Sequence, residues 1–384
     1  MTTLAHSVMS SRVRRAVVVG AVLATLVGSE GAEGQSVAGA SPKIPLVPGL
    51  TLVKAARTPE GDYEAMTVIS AISARGVELT VSGEVPSPGQ KPVSVNVTRL
   101  VRMADLKDAR TYKYYFNTMD EAVFAGTTAL GTSTSVIADL RSRGETKMTL
   151  DGRSGGLVGL VDDLLGNIGK AGGASKALGG GVLATGTLKL VTAKPVFFPV
   201  LVNSVKCILP ALHVHGRIGD VENAEDADLY FLDDPANPLT LRFAIGSDTL
   251  EVTNIEFPVA DASKSMEREL MDSRRSAVYG IYFDFNSATI RPQSEPVLRE
   301  IVGVMQREPS WTLKVEGHTD NIGGNAKNVD LSTRRAAAVK VALVAMGVSD
   351  KRLDTGGYGA SVPRETNTTL AGRARNRRVE LSRQ

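Results

Sequence analysis

Residues 317–336 of the chain are GHTDNIGGNAKNVDLSTRRA, and this stretch decides the fold of the C-terminal part. It begins as a polar, glycine-rich loop directly after residues 312–316, where apolar and polar side chains alternate as they do in a strand. It leads into a helix whose buried face consists of Ala336, Val339, Leu343 and Met346. The stretch therefore predicts a strand, a polar loop and an amphipathic helix in this order.

The same alternation of strands and helices continues on both sides of this stretch. Upstream, residues 282–285 predict a short strand, followed by a helix whose apolar face is Val297, Leu298, Ile301, Val302 and Met305. Asp330 or Ser332 is expected to cap the central helix. Further elements are predicted at residues 353–358 (strand), 369–376 (helix) and 379–381 (strand). The predicted class is α+β, a βαβα sandwich with a small mixed sheet.

Five spaced motifs in the C-terminal part carry a family resemblance. They are FDFNS (283–287), GHTDNIG (317–323), NVDLSTRRA (328–336), GYGASVP (357–363) and NTTLAGRARNRRVE (367–380). In this order and spacing they resemble the OmpA-like C-terminal domain, over about residues 277–384. The resemblance implies non-covalent binding of peptidoglycan through the diaminopimelate of the stem peptide, which bears an ammonium and a carboxylate.

The resemblance also implies which residues bind this ligand. Asp320 matches the family's aspartate, which accepts hydrogen bonds from the ammonium. Arg335 matches its arginine, whose guanidinium can hold a carboxylate with two hydrogen bonds. The backbone amides of Asn321 to Gly323 are expected to add donors, because glycine permits close approach of a ligand.

Three further residues follow from the same alignment of motifs. Asn328 and Asp284 fall at contact positions of the family, and Arg377 is a weaker match. His318 is expected to be a structural hydrogen-bond donor at the strand end rather than a catalytic group. No catalytic residue, metal site or cofactor is predicted.

The N-terminus is typical of an export signal. Arg12, Arg14 and Arg15 precede an apolar run at residues 16–28, which is too short to span a bilayer comfortably. We expect residues 1–34 to be a signal peptide that is cleaved before Gln35, with an uncleaved anchor as the alternative. The predicted location is the periplasm, in the outer-membrane-associated cell envelope.

Residues 35–259 predict a β-rich region of unknown function. Strand-like runs occur at 77–81, 93–97, 112–116, 188–191, 196–201, 230–232, 239–245 and 250–257. A glycine-rich insert at about residues 152–181 interrupts them, and whether the region is one domain or two stays open. Residues 260–276 predict a connector helix before the domain at 277–384.

The overall composition excludes several classes of protein. With 42% apolar and 22% charged residues, the chain of 384 residues is not disordered, and its net charge of +3 excludes a globally basic nucleic-acid binder. Aromatic residues make up 5%, which argues against a membrane β-barrel. The single Cys207 excludes an intrachain disulfide and is expected to be a core residue.

The β-rich region contains weak chemical patterns. His213 and His215 are two residues apart, so on one strand they would share a face, and Asp233 and Asp234 are the obvious candidates for further metal ligands. Such spacing also arises by chance, and neither a metal site nor a catalytic carboxylate pair is favoured. No enzymatic activity is expected.

The sequence thus predicts an exported, non-enzymatic protein that tethers to peptidoglycan. Its middle region is expected to pack alone or to contact the outer membrane or another envelope protein, and no nucleic acid is expected as a partner. The alternatives are a porin-like protein with a barrel in the middle region and a wall-targeted enzyme. An anchor of a motor stator or secretion system is disfavoured, because the usual transmembrane helix before the binding domain is missing.

Overall fold

The structure, a computed structural model, describes residues 41–59, 61–86, 92–113, 123–152, 182–219, 224–259 and 262–384. The predicted signal peptide lies outside the described residues, as do residues 153–181 of the glycine-rich insert. Residues 40–384 form one compact unit.

The β-rich region is built from thirteen strands within the described residues. They are β1 (Thr51–Thr58), β2 (Gly61–Ser73), β3 (Gly76–Val85), β4 (Val93–Arg102), β5 (Thr111–Lys113), β6 (Thr127–Thr128), β7 (Glu145–Gly152), β8 (Val182–Leu190), β9 (Val196–Val202), β10 (Val205–Ile218), β11 (Glu225–Leu232), β12 (Thr240–Ile245) and β13 (Asp248–Glu256). Two helices, α1 (Met103–Asp108) and α2 (Thr134–Arg143), interrupt them. The predicted β-rich character is confirmed.

These strands form one sheet in the order β4-β3-β2-β1-β13-β12-β11-β10-β8-β7-β5-β6, and β9 pairs with both β10 and β13. Most neighbours are antiparallel, while β5 pairs in parallel with β6 and β7, and β9 with β13. Strands β1 and β13 are therefore neighbours although they lie about 200 residues apart in sequence, and the C-terminal domain packs against this part of the sheet.

The two faces of β1 have different partners, because side chains alternate along a strand. Leu52 belongs to the main core of the β-rich region. On the opposite face, Val53 packs with Met66 and Tyr282, and Ala55 packs with Leu370 and Ala374. The second face of β1 and β2 is thus the surface on which the C-terminal domain docks.

The C-terminal domain is a mixed sheet with helices. Its elements are α3 (Ala262–Asp272), β14 (Arg275–Val278), α4 (Glu295–Arg307), β15 (Leu313–Gly317), α5 (Asn325–Ala345), β16 (Leu353–Gly357), α6 (Leu370–Asn376) and β17 (Val379–Arg383). The strand order is β14-β17-β15-β16, with β15 and β16 parallel and the other pairs antiparallel. The predicted α+β class is confirmed.

The prediction of a strand at residues 282–285 is wrong. The backbone of this segment bonds locally: the Arg291 amide donates to the Tyr282 carbonyl, and the Asp284 amide donates to the Thr289 carbonyl. The edge position beside β17 is taken instead by β14. Residues 282–285 therefore form a loop next to the sheet.

Two helix boundaries also differ from the predictions. The helix after residue 260 ends at Asp272 and is shorter than expected, because residues 275 and 276 of the expected connector belong to β14. Helix α5 begins at Asn325, so neither Asp330 nor Ser332 is its cap; Gly324, with a φ of 89°, precedes the first turn.

The core of the C-terminal domain contains residues from all four strands of its sheet and from helices α3, α4 and α5. Met266 and Leu270 of α3 are buried against Val315 and Leu381 of the sheet and Ile301 of α4. Among the described residues, no helix has the length and apolar character needed to cross a membrane.

Candidate ligand-binding site

The predicted ligand loop lies at the end of β15, between this strand and α5. The His318 amide donates to the Arg378 carbonyl at 3.0 Å, and the Thr319 amide donates to the Gly359 carbonyl at 2.9 Å. These two bonds tie the start of the loop to the segments after β16 and before β17. Asp320, the next residue, is held at a fixed place on the domain surface.

Asp320 is largely buried, and each carboxylate oxygen accepts one hydrogen bond. The Ile322 amide donates to Oδ1 at 3.0 Å, and a guanidinium nitrogen of Arg377 donates to Oδ2 at 2.6 Å. A carboxylate can accept about four hydrogen bonds, so both oxygens retain a free lone pair. Asp320 can therefore accept a further donor from a ligand.

Asn328 supports the loop from α5. Its side-chain amide donates to the Asp320 carbonyl oxygen at 3.0 Å, and the side chain is buried. The predicted contact residue thus orients Asp320 through the backbone, and it also lines the cavity described below.

Arg335 lies two turns further along α5 and points towards the loop at residues 283–287. Its Nε donates to the Ser287 carbonyl at 2.9 Å, and its guanidinium carbon lies 4.8 Å from the centre of the Phe283 ring. In the described part of the chain, no carboxylate forms an ion pair with it. Burial lowers the pKa of Arg335 to about 10, with Glu64 acting in the opposite direction. This partly buried cation is able to bind a carboxylate.

Arg377 links the ligand loop to the β-rich region. Besides Asp320, it contacts Glu64 of β2: Nε and a terminal nitrogen donate to Oε1 of Glu64 at 3.0 and 2.6 Å. Burial alone would lower the pKa of Arg377, but the two carboxylates raise it above its ordinary value. The guanidinium is thus a fixed bridge between two anions.

A cavity of about 710 Å³ lies where these residues meet. Its lining includes Asp320, Asn328, Arg335 and Arg377 from the C-terminal domain and, from the β-rich region, the acidic side chains of Asp62, Glu64 and Glu84. The cavity is therefore lined by both regions.

The acidic residues of the β-rich region also bind the C-terminal domain. Arg373 of α6 donates to Asp62, with Nε at 3.0 Å from Oδ2. The Phe285 amide donates to Glu84. Asp62, Glu64 and Glu84 were not predictable from the sequence, because no local pattern indicates that β2 and β3 lie beside the ligand loop.

The structure brings six of the seven predicted binding residues to the cavity. Asp284, Gly323, Asn328, Asp320, Arg335 and Arg377 line it. Asn321 is exposed and is not part of the lining. The Asp284 carboxylate bonds to Arg291 at 3.2 Å, and Gly323 has a φ of 94°, which favours glycine.

His318 lies in a buried cluster beside the cavity. Its ring stacks on Tyr358 at a centroid distance of 5.3 Å, and within the described residues neither ring nitrogen has a hydrogen-bond partner. The structural donor at this strand end is the backbone amide of His318 rather than its ring. Burial, together with the charge of Arg378, lowers the pKa of His318 to about 4.

Glu316, His318 and Glu380 approach one another closely enough to hold a metal ion. However, Arg275 pairs with both glutamates, and Arg364 and Arg378 also pair with Glu380. Three guanidiniums face two carboxylates, so the cluster already carries excess positive charge and repels a cation. We assign no metal to it.

Among the described residues, the histidine pair of the β-rich region forms no metal-binding group with Asp233 or Asp234. His213 bonds through Nε2 to Asp228 at 2.8 Å, whereas Asp233 pairs with Arg141 of α2. Asp228 also accepts from Arg242 at 2.7 Å. This arrangement is a surface ion-pair network. Cys207 is half-buried and packs against the main core, and burial raises the pKa of its thiol.

Comparison with known proteins identifies the C-terminal domain. Residues 282–377 match the sequence model of the OmpA family, and this part of the chain is an OmpA-like domain. Outer membrane porin F of Pseudomonas fluorescens is 44% identical over 102 residues, which are 27% of this chain and 31% of that protein.

Two further relatives match the same part of the chain. Outer membrane protein A of Bordetella avium is 41% identical over 100 residues, 26% of this chain and 52% of that protein. Peptidoglycan-binding protein ArfA of Mycobacterium bovis is 35% identical over 113 residues, 29% of this chain and 35% of that protein. The chain spans about a third to a half of the length of these relatives.

Proposed function

We propose that the C-terminal domain binds peptidoglycan non-covalently and tethers the protein to the cell wall. We place the chain in the periplasm, associated with the outer membrane, and two of its relatives are named as outer-membrane proteins. Its OmpA-like domain resembles a relative that is named for peptidoglycan binding. The role is one of binding rather than catalysis.

One observation carries this proposal: a partly buried arginine without a carboxylate partner in the described residues shares a cavity with an aspartate. Arg335 offers a cation for a carboxylate, and Asp320 offers an anion for an ammonium. The diaminopimelate side chain of a stem peptide bears both groups. Each charge-assisted hydrogen bond contributes about 1.5–3 kcal/mol, so a few of them give micromolar to millimolar affinity after the cost of association.

The experiment is co-sedimentation of the full chain with purified sacculi of the diaminopimelate type. We expect the wild-type protein to pellet and Asp320→Asn and Arg335→Ala to stay mostly in the supernatant. The asparagine can still accept from the Ile322 amide, so the loop is retained while the charge is lost. Because one lost charge-assisted bond costs about 1.5–3 kcal/mol, affinity should fall about 10- to 100-fold.

Arg334→Ala is the matched control. Arg334 is the neighbouring arginine on α5, is exposed, and pairs with Asp330 at 2.8 Å on the helix surface. We expect this variant to pellet as the wild type does. Equal sedimentation of all four proteins would refute a role of Asp320 and Arg335.

A further inference from the structure

The candidate site has a second wall that lies outside the OmpA-like domain. Glu64 belongs to β2 of the β-rich region, yet it lines the same cavity as Asp320 and Arg335. Its side chain is partly buried, and within the described part of the chain the two hydrogen bonds that its carboxylate accepts come from Arg377. Three charged groups are therefore connected in a row: Glu64, Arg377 and Asp320.

Arg377 divides its donors between the two carboxylates. One terminal nitrogen serves Asp320 at 2.6 Å, while Nε and the other terminal nitrogen serve Glu64 at 3.0 and 2.6 Å. A guanidinium without a second anion can bind a carboxylate with two parallel bonds. Without Glu64, Arg377 would be free to bind Asp320 in this way and to occupy the lone pairs that an ammonium requires.

Within the group of Asp320, Arg335, Arg377 and Glu64, the net charge is +1 without Glu64 and zero with it. The rest of the cavity lining contains more cationic than anionic side chains, so the loss of Glu64 makes a positive cavity more positive. A ligand group with one ammonium and one carboxylate is neutral, and its ammonium is favoured by the carboxylate of Glu64. A site with a net charge of +1 favours an anion without an ammonium.

We propose that Glu64 is a specificity-determining positioning residue of the ligand site: it holds Arg377 away from full pairing with Asp320 and so keeps Asp320 available for an ammonium. This inference rests on the proposed function. It makes the β-rich region a part of the recognition of the zwitterionic stem-peptide group.

A competing possibility is that Glu64 imitates the carboxylate of the ligand and blocks the site. The contacts argue against this, because Glu64 pairs with Arg377 and forms no ion pair with Arg335. The cavity also stays open beside both Asp320 and Arg335. The two possibilities predict opposite effects of the same substitution.

The test compares two probes on the full chain by ligand-observed NMR titration. The first is meso-diaminopimelate, and the second is pimelate, which has the same carbon chain and carboxylates but no ammonium groups. For Glu64→Gln we expect about a tenfold weaker affinity for meso-diaminopimelate and an unchanged or stronger affinity for pimelate. The preference for the zwitterion should therefore fall at least tenfold.

Lys206→Gln is the control for the contact between the two regions. Lys206 of β10 pairs with Glu365 of the C-terminal domain, and neither residue belongs to the cavity lining. We expect this variant to keep the preference of the wild type. An equal loss for both probes, the same in the two variants, would mean that Glu64 only docks the regions and would overturn the inference.

Two other outcomes also overturn it. A rise in the affinity of Glu64→Gln for meso-diaminopimelate would identify Glu64 as an internal competitor. If the wild type binds meso-diaminopimelate and Asp320→Asn weakens it, but Glu64→Gln changes nothing, the proposed function stands and the inference fails. If the wild type binds neither probe, the proposed function and the inference about Glu64 both fail.

Discussion

At the scale of single residues, the buried imidazole of His318 has a consequence for pH. The residue is 2% exposed, and burial lowers its pKa from about 6.5 to about 4. Between these two values the unfolded chain binds a proton at this histidine and the folded chain does not. Stability is therefore lost as the pH falls through this interval.

We predict that His318→Phe removes this part of the pH dependence. Phenylalanine can stack on Tyr358 and does not titrate. From pH 7 to pH 4.5, the wild type should lose on the order of 2 kcal/mol more unfolding free energy than the variant, as measured by urea denaturation at each pH. The contributions of all other titrating groups are the same in the two proteins, so they cancel when the variant is subtracted from the wild type. A difference that does not vary with pH would contradict a depressed pKa of His318.

The residues of the site were predictable only where local motifs carry them. Asp320 and Arg335 were found in GHTDNIG and NVDLSTRRA, and both line the cavity. Glu64 could not be predicted as a site residue, because it is a single acidic residue in an ordinary strand, more than 250 positions before Asp320. Its role depends on how β2 docks against α6, and the sequence pattern contains no information about that packing.

At the scale of elements, two glycines allow α5 to lie against the strand ends. A Cβ on Gly317, the last residue of β15, would overlap the Ser332 carbonyl, and one on Gly357, the last residue of β16, would overlap the Thr333 backbone. Asn328 and Arg335 lie on either side of this contact, on the same helix. The distance between helix and sheet thus sets the geometry of the site.

We predict that Gly317→Ala displaces α5 and costs about 1–3 kcal/mol of stability, as for other overpacked cores. Binding of meso-diaminopimelate should weaken as well. Gly303→Ala is the control: it lies inside α4, where the nearest atom to the new Cβ is the flexible end of Arg307 at 3.4 Å. There alanine should stabilise by about 0.5–1 kcal/mol. Thermal unfolding measures the stability of both variants. Equal changes in stability for Gly317→Ala and Gly303→Ala would refute the close approach of α5 to the end of β15.

The elements themselves were predicted unevenly from the sequence. Helix α5 and strand β15 have clear periodicity and were identified, with an error in the start of the helix. Strand β14 was missed because its four residues, Arg275–Val278, have no strong pattern and pair with β17, about 100 residues away. The segment at 282–285 has the alternation of a strand, but local turn bonds override it.

At the scale of the whole molecule, the chain has separate cores joined by a charged interface. All buried members of the C-terminal core lie between Met266 and Leu381. The contact with the β-rich region adds small apolar clusters, such as Val53 with Tyr282, and ion pairs such as Asp62 with Arg373. The C-terminal domain should therefore fold alone, provided that the fragment begins early enough.

We predict that a fragment of residues 262–384 unfolds cooperatively in urea, whereas a fragment of residues 279–384 is several kcal/mol less stable or unfolded. The shorter fragment lacks β14 and α3, and with them the buried Met266, Leu270 and Val278. Each such side chain contributes about 1.5–3 kcal/mol, and a small domain has about 5–15 kcal/mol in total. Circular dichroism during the urea titration measures the unfolding of both fragments. Equal stability of the two fragments would show that α3 and β14 belong to the connection rather than to the domain.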